Sequence, residues 1–240
     1  MLNKILKKIR WTFNPPKLDD VSKNKYLIEA SQISDKIKDI LNLKSETEII
    51  SLGENCNSAW YIKKVGLKNC SYPFDWTYSS PSIIENCIRD SFNKFLDKKF
   101  IFPTRSGNSA GHSFYHNNLF NHKNPLKNEV DYTYYQRCIK RFMNILKSKK
   151  SILFVMTVIT EIDKRSGAGW AKGFNEQFTL PINQNIDDMT DLIKVIRAIN
   201  PNCKFLFIEQ YTESEPKINL IDFKNDDYVW IKHHSFQRNT

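Results

Sequence analysis

Cys56 is the residue that the sequence singles out for chemistry. It follows a short apolar run, Ile49, Ile50, Ser51 and Leu52, then the lone Gly53, and it precedes a helix-like segment over 57–65. A helix N-terminus presents unpaired backbone N–H groups and a partial positive charge. A thiolate placed there is stabilised, which predicts a lowered pKa and a nucleophile near neutral pH. Such a thiol needs a base, and the chain offers His112, His116, His122, His233 and His234. His112, His116 and His122 share one irregular segment; the 233–234 pair is an outside candidate. The H-x3-H spacing of His112 and His116 could also bind a metal, but no third and fourth ligands accompany it, so no metal site is expected.

Other side chains could complete such a site. Asp75 could orient an imidazole by accepting its second N–H; equally, a short Asp after Pro73 could cap a turn while Phe74 and Trp76 pack. Asn55 could donate its amide to an oxyanion together with the Cys56 N–H, or cap the following helix. Arg137 and Arg141, four apart on one helix face, could hold a carboxylate or phosphate, or form a solvated face. Gly53, Glu54, Trp76, His116, Arg137 and Arg141 are the expected substrate contacts, with the 51–56 loop cradling the ligand. No dinucleotide fingerprint or P-loop is present, and no cofactor is expected.

The elements that must position these residues read as alternating strands and helices. Residues 48–52 predict a first strand, 57–65 a helix with Gly66 as its C-cap residue, and 81–96 a helix opened by Ser80 and Pro81. Residues 97–130 carry no regular pattern. A helix is expected over 132–147, with Tyr135, Cys138, Ile139, Phe142, Ile145 and Leu146 as its apolar stripe. The continuous apolar run 151–159 fits a strand buried on both faces. A glycine-bearing loop over 160–180, a helix over 187–199, a strand over 203–208 and a last strand over 228–231 follow. This order predicts an α/β fold with a layered, mostly parallel sheet flanked by helices, the alternative being an α+β papain-like domain. In such sheets ligands collect beyond the carboxyl ends of strands, where Gly53 and Cys56 would lie.

Two segments precede that domain. Residues 1–14 predict a basic amphipathic helix, with Leu2, Ile5, Leu6, Ile9 and Phe13 opposite Lys4, Lys7, Lys8 and Arg10. It could lie on an anionic membrane surface or dock on the domain. Pro15 and Pro16 end it, residues 17–25 read as linker, and residues 26–240 as one domain, opened by a helix over 26–43 broken near Ser34.

Composition narrows the partners. A net charge of +10 and a pI of about 9.3 favour acidic ones: nucleic acid, anionic lipid or acidic glycan. Nucleic acid is disfavoured, because the lysines are scattered and no zinc-finger, RNP-type or long basic helical signature accompanies them. The five cysteines are odd in number and form no CxxC pair, which excludes a disulfide framework and a zinc site. With neither a cleavable signal peptide nor a long apolar run, the expected location is cytoplasmic, with the 1–14 helix able to hold the chain at the inner face of a membrane.

The signature SLG-x-x-C-x-x-A, a helix ending in Gly66-Leu67, and then Pro73-Phe74-Asp75-Trp76 resembles the bacterial and viral family catalogued as papain-like cysteine peptidases. The element Phe120-Asn121-His122 resembles the family's F-x-H, and the helix and strand after it are also similar, so the likeness covers about 48–210. It implies Cys56 as nucleophile and His122 as leading base, in a peptidase or thiol hydrolase cleaving an amide or ester. Members resemble proteins found beside surface-polysaccharide functions. The alternative is therefore a carbohydrate-active or ligand-binding protein of glycan assembly in which Cys56 is structural. The substrate would be a peptide or a glycan.

Overall fold

The computed structural model describes residues 20–105, 107–159, 173–178, 187–213, 217–221 and 227–236. The expected helix over 1–14, most of the 160–180 loop, and the side chains of His233 and His234 lie outside this set.

Five strands form one sheet in the order β1 (Glu48–Gly53), β4 (Ile152–Ile159), β5 (Cys203–Glu213), β7 (Tyr228–Phe236), β6 (Lys217–Ile221). The first four run parallel and β6 closes the edge antiparallel to β7. A separate two-stranded hairpin, β2 (Ile101–Pro103) with β3 (Ala110–His112), stands in the segment expected to be irregular. The mostly parallel sheet between helices is the α/β architecture that the sequence predicts.

Strand β4 shows why its sequence lacks polar alternation. Ile152, Phe154, Met156 and Val158 enter one core layer, with Ile50, Leu52, Phe205 and Phe207. Leu153 and Val155 enter the other, with Ile49, Leu206 and Ile208. A strand covered on both faces needs apolar side chains at nearly every position. Helices α1 (Asp20–Ile40) and α2 (Asn57–Lys64) supply Ala30, Ile37, Tyr61 and Ile62 to the second layer. Helices α3 (Pro81–Arg89), α4 (Glu129–Leu146) and α5 (Asp187–Ile199) cover the first.

Three helix boundaries differ from the sequence expectation for local reasons. Helix α1 is continuous through Ser34 and begins at Asp20, inside the expected linker. Helix α3 stops at Arg89, because Ser91 and Phe92 turn left-handed (φ 56° and 61°), and this swings Phe92 and Phe95 into the core. Helix α4 starts earlier, at Glu129. Asn128 caps it by accepting the Val130 N–H at 2.9 Å, and Glu129 and Asp131 sit in the positive first turn. Ser80 caps α3 from the Ile83 N–H at 3.2 Å with Pro81 at the first position, as its sequence predicts. Among the described residues no helix is long and apolar enough to cross a membrane.

Candidate functional site

The loop carrying Cys56 leaves β1 through two consecutive left-handed residues, Gly53 (φ 81°) and Glu54 (φ 69°). A Cβ at Gly53 would stand 2.5 Å from Ser79 Oγ and 2.8 Å from the Phe74 carbonyl oxygen, so only glycine fits. Ser79 is the clamp. Its hydroxyl accepts the Glu54 N–H at 2.8 Å and donates to the Leu52 carbonyl at 2.8 Å, while its own N–H donates to the Glu54 carbonyl at 3.1 Å. On the other side, the Ser58 hydroxyl donates to the Gly53 carbonyl at 3.1 Å and meets Ser51 Oγ at 2.9 Å. The Ser51 Oγ also accepts the Gly53 N–H at 3.1 Å. The hydroxyls of Ser51, Ser58 and Ser79 are thereby all engaged around this sharp turn.

Cys56 sits at the N-cap of α2, half-buried, with α-region angles (φ −69°, ψ −9°). The Asn55 side-chain oxygen accepts the Asn57 N–H at 2.8 Å, so Asn55 caps the first turn from one residue upstream. Its amide N–H2 makes no hydrogen bond among the described residues. Across the top of the sheet, Asn57 donates to Gln210 at 3.4 Å and Gln210 donates to the Tyr61 hydroxyl at 3.0 Å. These bonds tie the start of α2 to the far end of β5, beyond the carboxyl ends of the strands.

The electrostatics correct one expectation. Burial pushes the Cys56 thiol above its ordinary value of 9.0, and its own backbone N–H only partly offsets this. Desolvation of the thiolate outweighs the helix terminus. Among the described residues no hydrogen bond joins a histidine to Cys56, and burial and its own backbone are what act on its thiol. The group that feels its charge is Tyr78, whose phenol is pushed up to about 12 by burial first and by Cys56 second.

The histidines divide by environment. His112 is buried; its Nε2 donates to the Lys94 carbonyl at 2.9 Å and its Nδ1 accepts the Tyr115 N–H at 3.2 Å. Burial lowers its pKa to about 4, so the ring is neutral and structural. His116 is buried between Tyr78 (ring centroids 4.9 Å) and Phe174 (4.3 Å), and its Nδ1 accepts the Asn118 N–H at 3.0 Å. In the neutral form of this ring the proton is therefore on Nε2. His122 is exposed, edge-on to half-buried Trp76 at 6.2 Å, with Nε2 3.3 Å from the Asn121 amide nitrogen. Backbone hydrogen bonds join Ser79 to Glu54, and Tyr78, whose N–H donates to the Leu119 carbonyl at 3.1 Å, to the 116–122 segment.

Asp75 makes no hydrogen bond to a histidine among the described residues. Its buried Oδ2 accepts from Lys68 Nζ and from the Tyr72 N–H at 2.8 Å. The two neighbouring aromatic positions divide between core and surface: Phe74 packs edge-on against Phe95 and Phe142, and Trp76 reaches His122. Arg137 lies 5.9 Å from the Tyr134 ring and lines a separate cavity of about 330 Å³ with Lys123 and Tyr134, while Arg141 is exposed on the same helix. Neither guanidinium hydrogen-bonds to the 53–56 loop. The residues that sequence reasoning missed are Ser79, Ser58 and Tyr78. Their one local signal is that Ser58 and Ser51 fall within the signature block itself. Among the described residues no group of three or more His, Cys, Asp or Glu could hold a metal ion.

No solved structure matches the chain. An uncharacterised protein of Acanthamoeba polyphaga mimivirus is 40% identical over 55 residues, covering 22% of this chain and 24% of that protein's length. The Cys56 loop, the 73–76 turn and all three histidines of the 112–122 segment lie within residues 47–123, the stretch that matches the family described as "Putative papain-like cysteine peptidase".

Proposed function

We propose that this protein is a thiol-dependent hydrolase of papain-like mechanism, cleaving an amide or ester with Cys56 as nucleophile. The supporting observation is the position of the thiol. It is half-buried at the start of α2, on a turn clamped by Ser79, within the segment that matches the peptidase family. Because burial holds the thiol protonated, attack requires a base to remove its proton as the sulfur adds to the carbonyl carbon. His112 has both nitrogens engaged and His116 spends its Nδ1 lone pair on Asn118. His122, with an exposed ring, is the base this reading uses, and the reading requires its ring to reach Cys56 when substrate is bound. The imidazolium then protonates the departing amine or alcohol as the carbonyl–heteroatom bond breaks, and water releases the thioester. The Cys56 N–H and the Asn55 amide are the donors available to the oxyanion.

The test is single-turnover kinetics on activated aryl esters and fluorogenic peptides, with intact-mass detection of an acyl adduct on Cys56. Cys56→Ala abolishes the adduct and the turnover. His122→Ala slows acylation by about a hundredfold or more, and added imidazole partly restores it. Hydrolysis that survives Cys56→Ala would sink the proposal.

A further inference from the structure

The end of the sheet opposite Cys56 carries a second concavity, of about 640 Å³, where β1, β4 and β5 begin. Lys44, Lys149, Lys150 and Lys204 line it against Glu46 and Glu48. Lys204 already shares Asp227 with Arg197, at 3.5 Å from the carboxylate. Lys44, Lys149 and Lys150 have no ion-pair partner among the described residues. Glu48 is engaged by the Asn69 amide at 2.9 Å, and Glu46 by the Ser45 hydroxyl at 3.0 Å, with the Lys44 charge also acting on it.

The rim is built rather than loose. Asn202 donates to the Lys149 carbonyl at 3.0 Å and Asn200 to the Lys150 carbonyl at 3.2 Å, which fixes the backbone that presents both lysines. Thr47 and Ser151 join their hydroxyls at 3.0 Å, and the Glu48 N–H donates to the Ser151 carbonyl at 3.0 Å, closing the β1 side. Ammonium groups gathered around one concavity repel each other, and Glu46 and Glu48 offset only part of their charge. That repulsion is relieved by an anion that several of them contact together. Lysine suits multiply charged, freely oriented oxyanions, where arginine would favour a planar bidentate partner.

We propose that this concavity is a binding site for a polyphosphate-bearing ligand, held by Lys44, Lys149 and Lys150 and independent of the Cys56 site. The phosphate chemistry could come from a free ligand or from anionic lipid headgroups, and two arms separate them. Calorimetry with inorganic tripolyphosphate at low ionic strength is the first arm. Lys149→Glu with Lys150→Glu weakens binding by about tenfold or more, whereas Lys36→Glu with Lys140→Glu, of identical net charge, leaves it unchanged. Binding to the wild type weakens steeply with added salt. In the second arm, phosphatidylserine vesicles that bind wild type but not the Lys149/Lys150 variant, in competition with tripolyphosphate, assign a lipid source; failure to bind vesicles assigns a free ligand. Absence of tripolyphosphate binding, or an equal loss in the control variant, overturns the site. Cys56→Ser leaves both arms untouched, so the hydrolase reading can fail without it.

Discussion

Replacing Gly53 by alanine tests how the Cys56 loop is held. Two costs apply at this position. The left-handed conformation (φ 81°) penalises any residue with a Cβ by about 1–2 kcal/mol. The new methyl also overlaps Ser79 Oγ at 2.5 Å and the Phe74 carbonyl at 2.8 Å. The backbone carbonyl cannot rotate away, and moving the Ser79 hydroxyl breaks its bonds to the Glu54 N–H and the Leu52 carbonyl. Losing two buried hydrogen bonds adds about 2–3 kcal/mol. The sum, about 3–5 kcal/mol, is a large part of the stability of an ordinary domain. It corresponds to a fall in Tm of about 6–20 °C for a chain of this size.

Gly66 supplies an internal control. It is the residue past the end of α2, also left-handed (φ 72°), with its N–H on the Lys63 carbonyl at 3.1 Å and the Leu67 N–H on the Ile62 carbonyl at 3.0 Å. A Cβ there meets nothing within 4 Å. Gly66→Ala therefore carries the conformational cost alone, about 1–2 kcal/mol. Urea unfolding of both variants, followed by tryptophan fluorescence and by far-UV circular dichroism, measures the difference. If Gly53→Ala costs no more than Gly66→Ala, the clamp by Ser79 is not what holds the loop.

Three other outcomes follow from the same structure. Alkylation of Cys56 by iodoacetamide in the substrate-free protein rises about tenfold per pH unit and levels off only above pH 9, since burial raises the thiol; peptide mapping against pH checks this, and a plateau below pH 8 contradicts it. Burial, outweighing Lys68, also raises the Asp75 carboxyl above 3.8, so the native state binds the proton more tightly than the unfolded chain and stability falls as pH rises through that raised value. Asp75→Asn removes this slope, seen as urea midpoints that vary less with pH across the acidic range, and it leaves the acylation rate of folded protein within about tenfold of wild type. Phe74→Ala opens a hole between Phe92, Phe95 and Phe142 and costs about 3–5 kcal/mol by the same unfolding assay; a cost below 1 kcal/mol would mean the 73–76 turn is not anchored through this ring.

What the sequence determined by itself was local. The apolar run 151–159 fitted a strand covered on both faces, Ser80 with Pro81 fitted a helix start, and Gly53 before Cys56 marked a strand-to-helix turn. Each of these rests on neighbours within a few residues, where periodicity and capping chemistry act. Even so, α3 ended early, because the left-handed pair Ser91 and Phe92 carries no glycine to announce it. Tertiary structure decided who meets whom. Ser79 reaches Gly53 and Glu54 from 25 residues away, Asp75 turns to Lys68 instead of an imidazole, and His112 and His116 are sunk in aromatic surroundings while His122 stays in solvent. It also decided the state of the thiol. A helix N-terminus is legible in a sequence and argues for a lowered pKa, but burial acts through every atom packed around Cys56, and that shell exists only once the chain has folded.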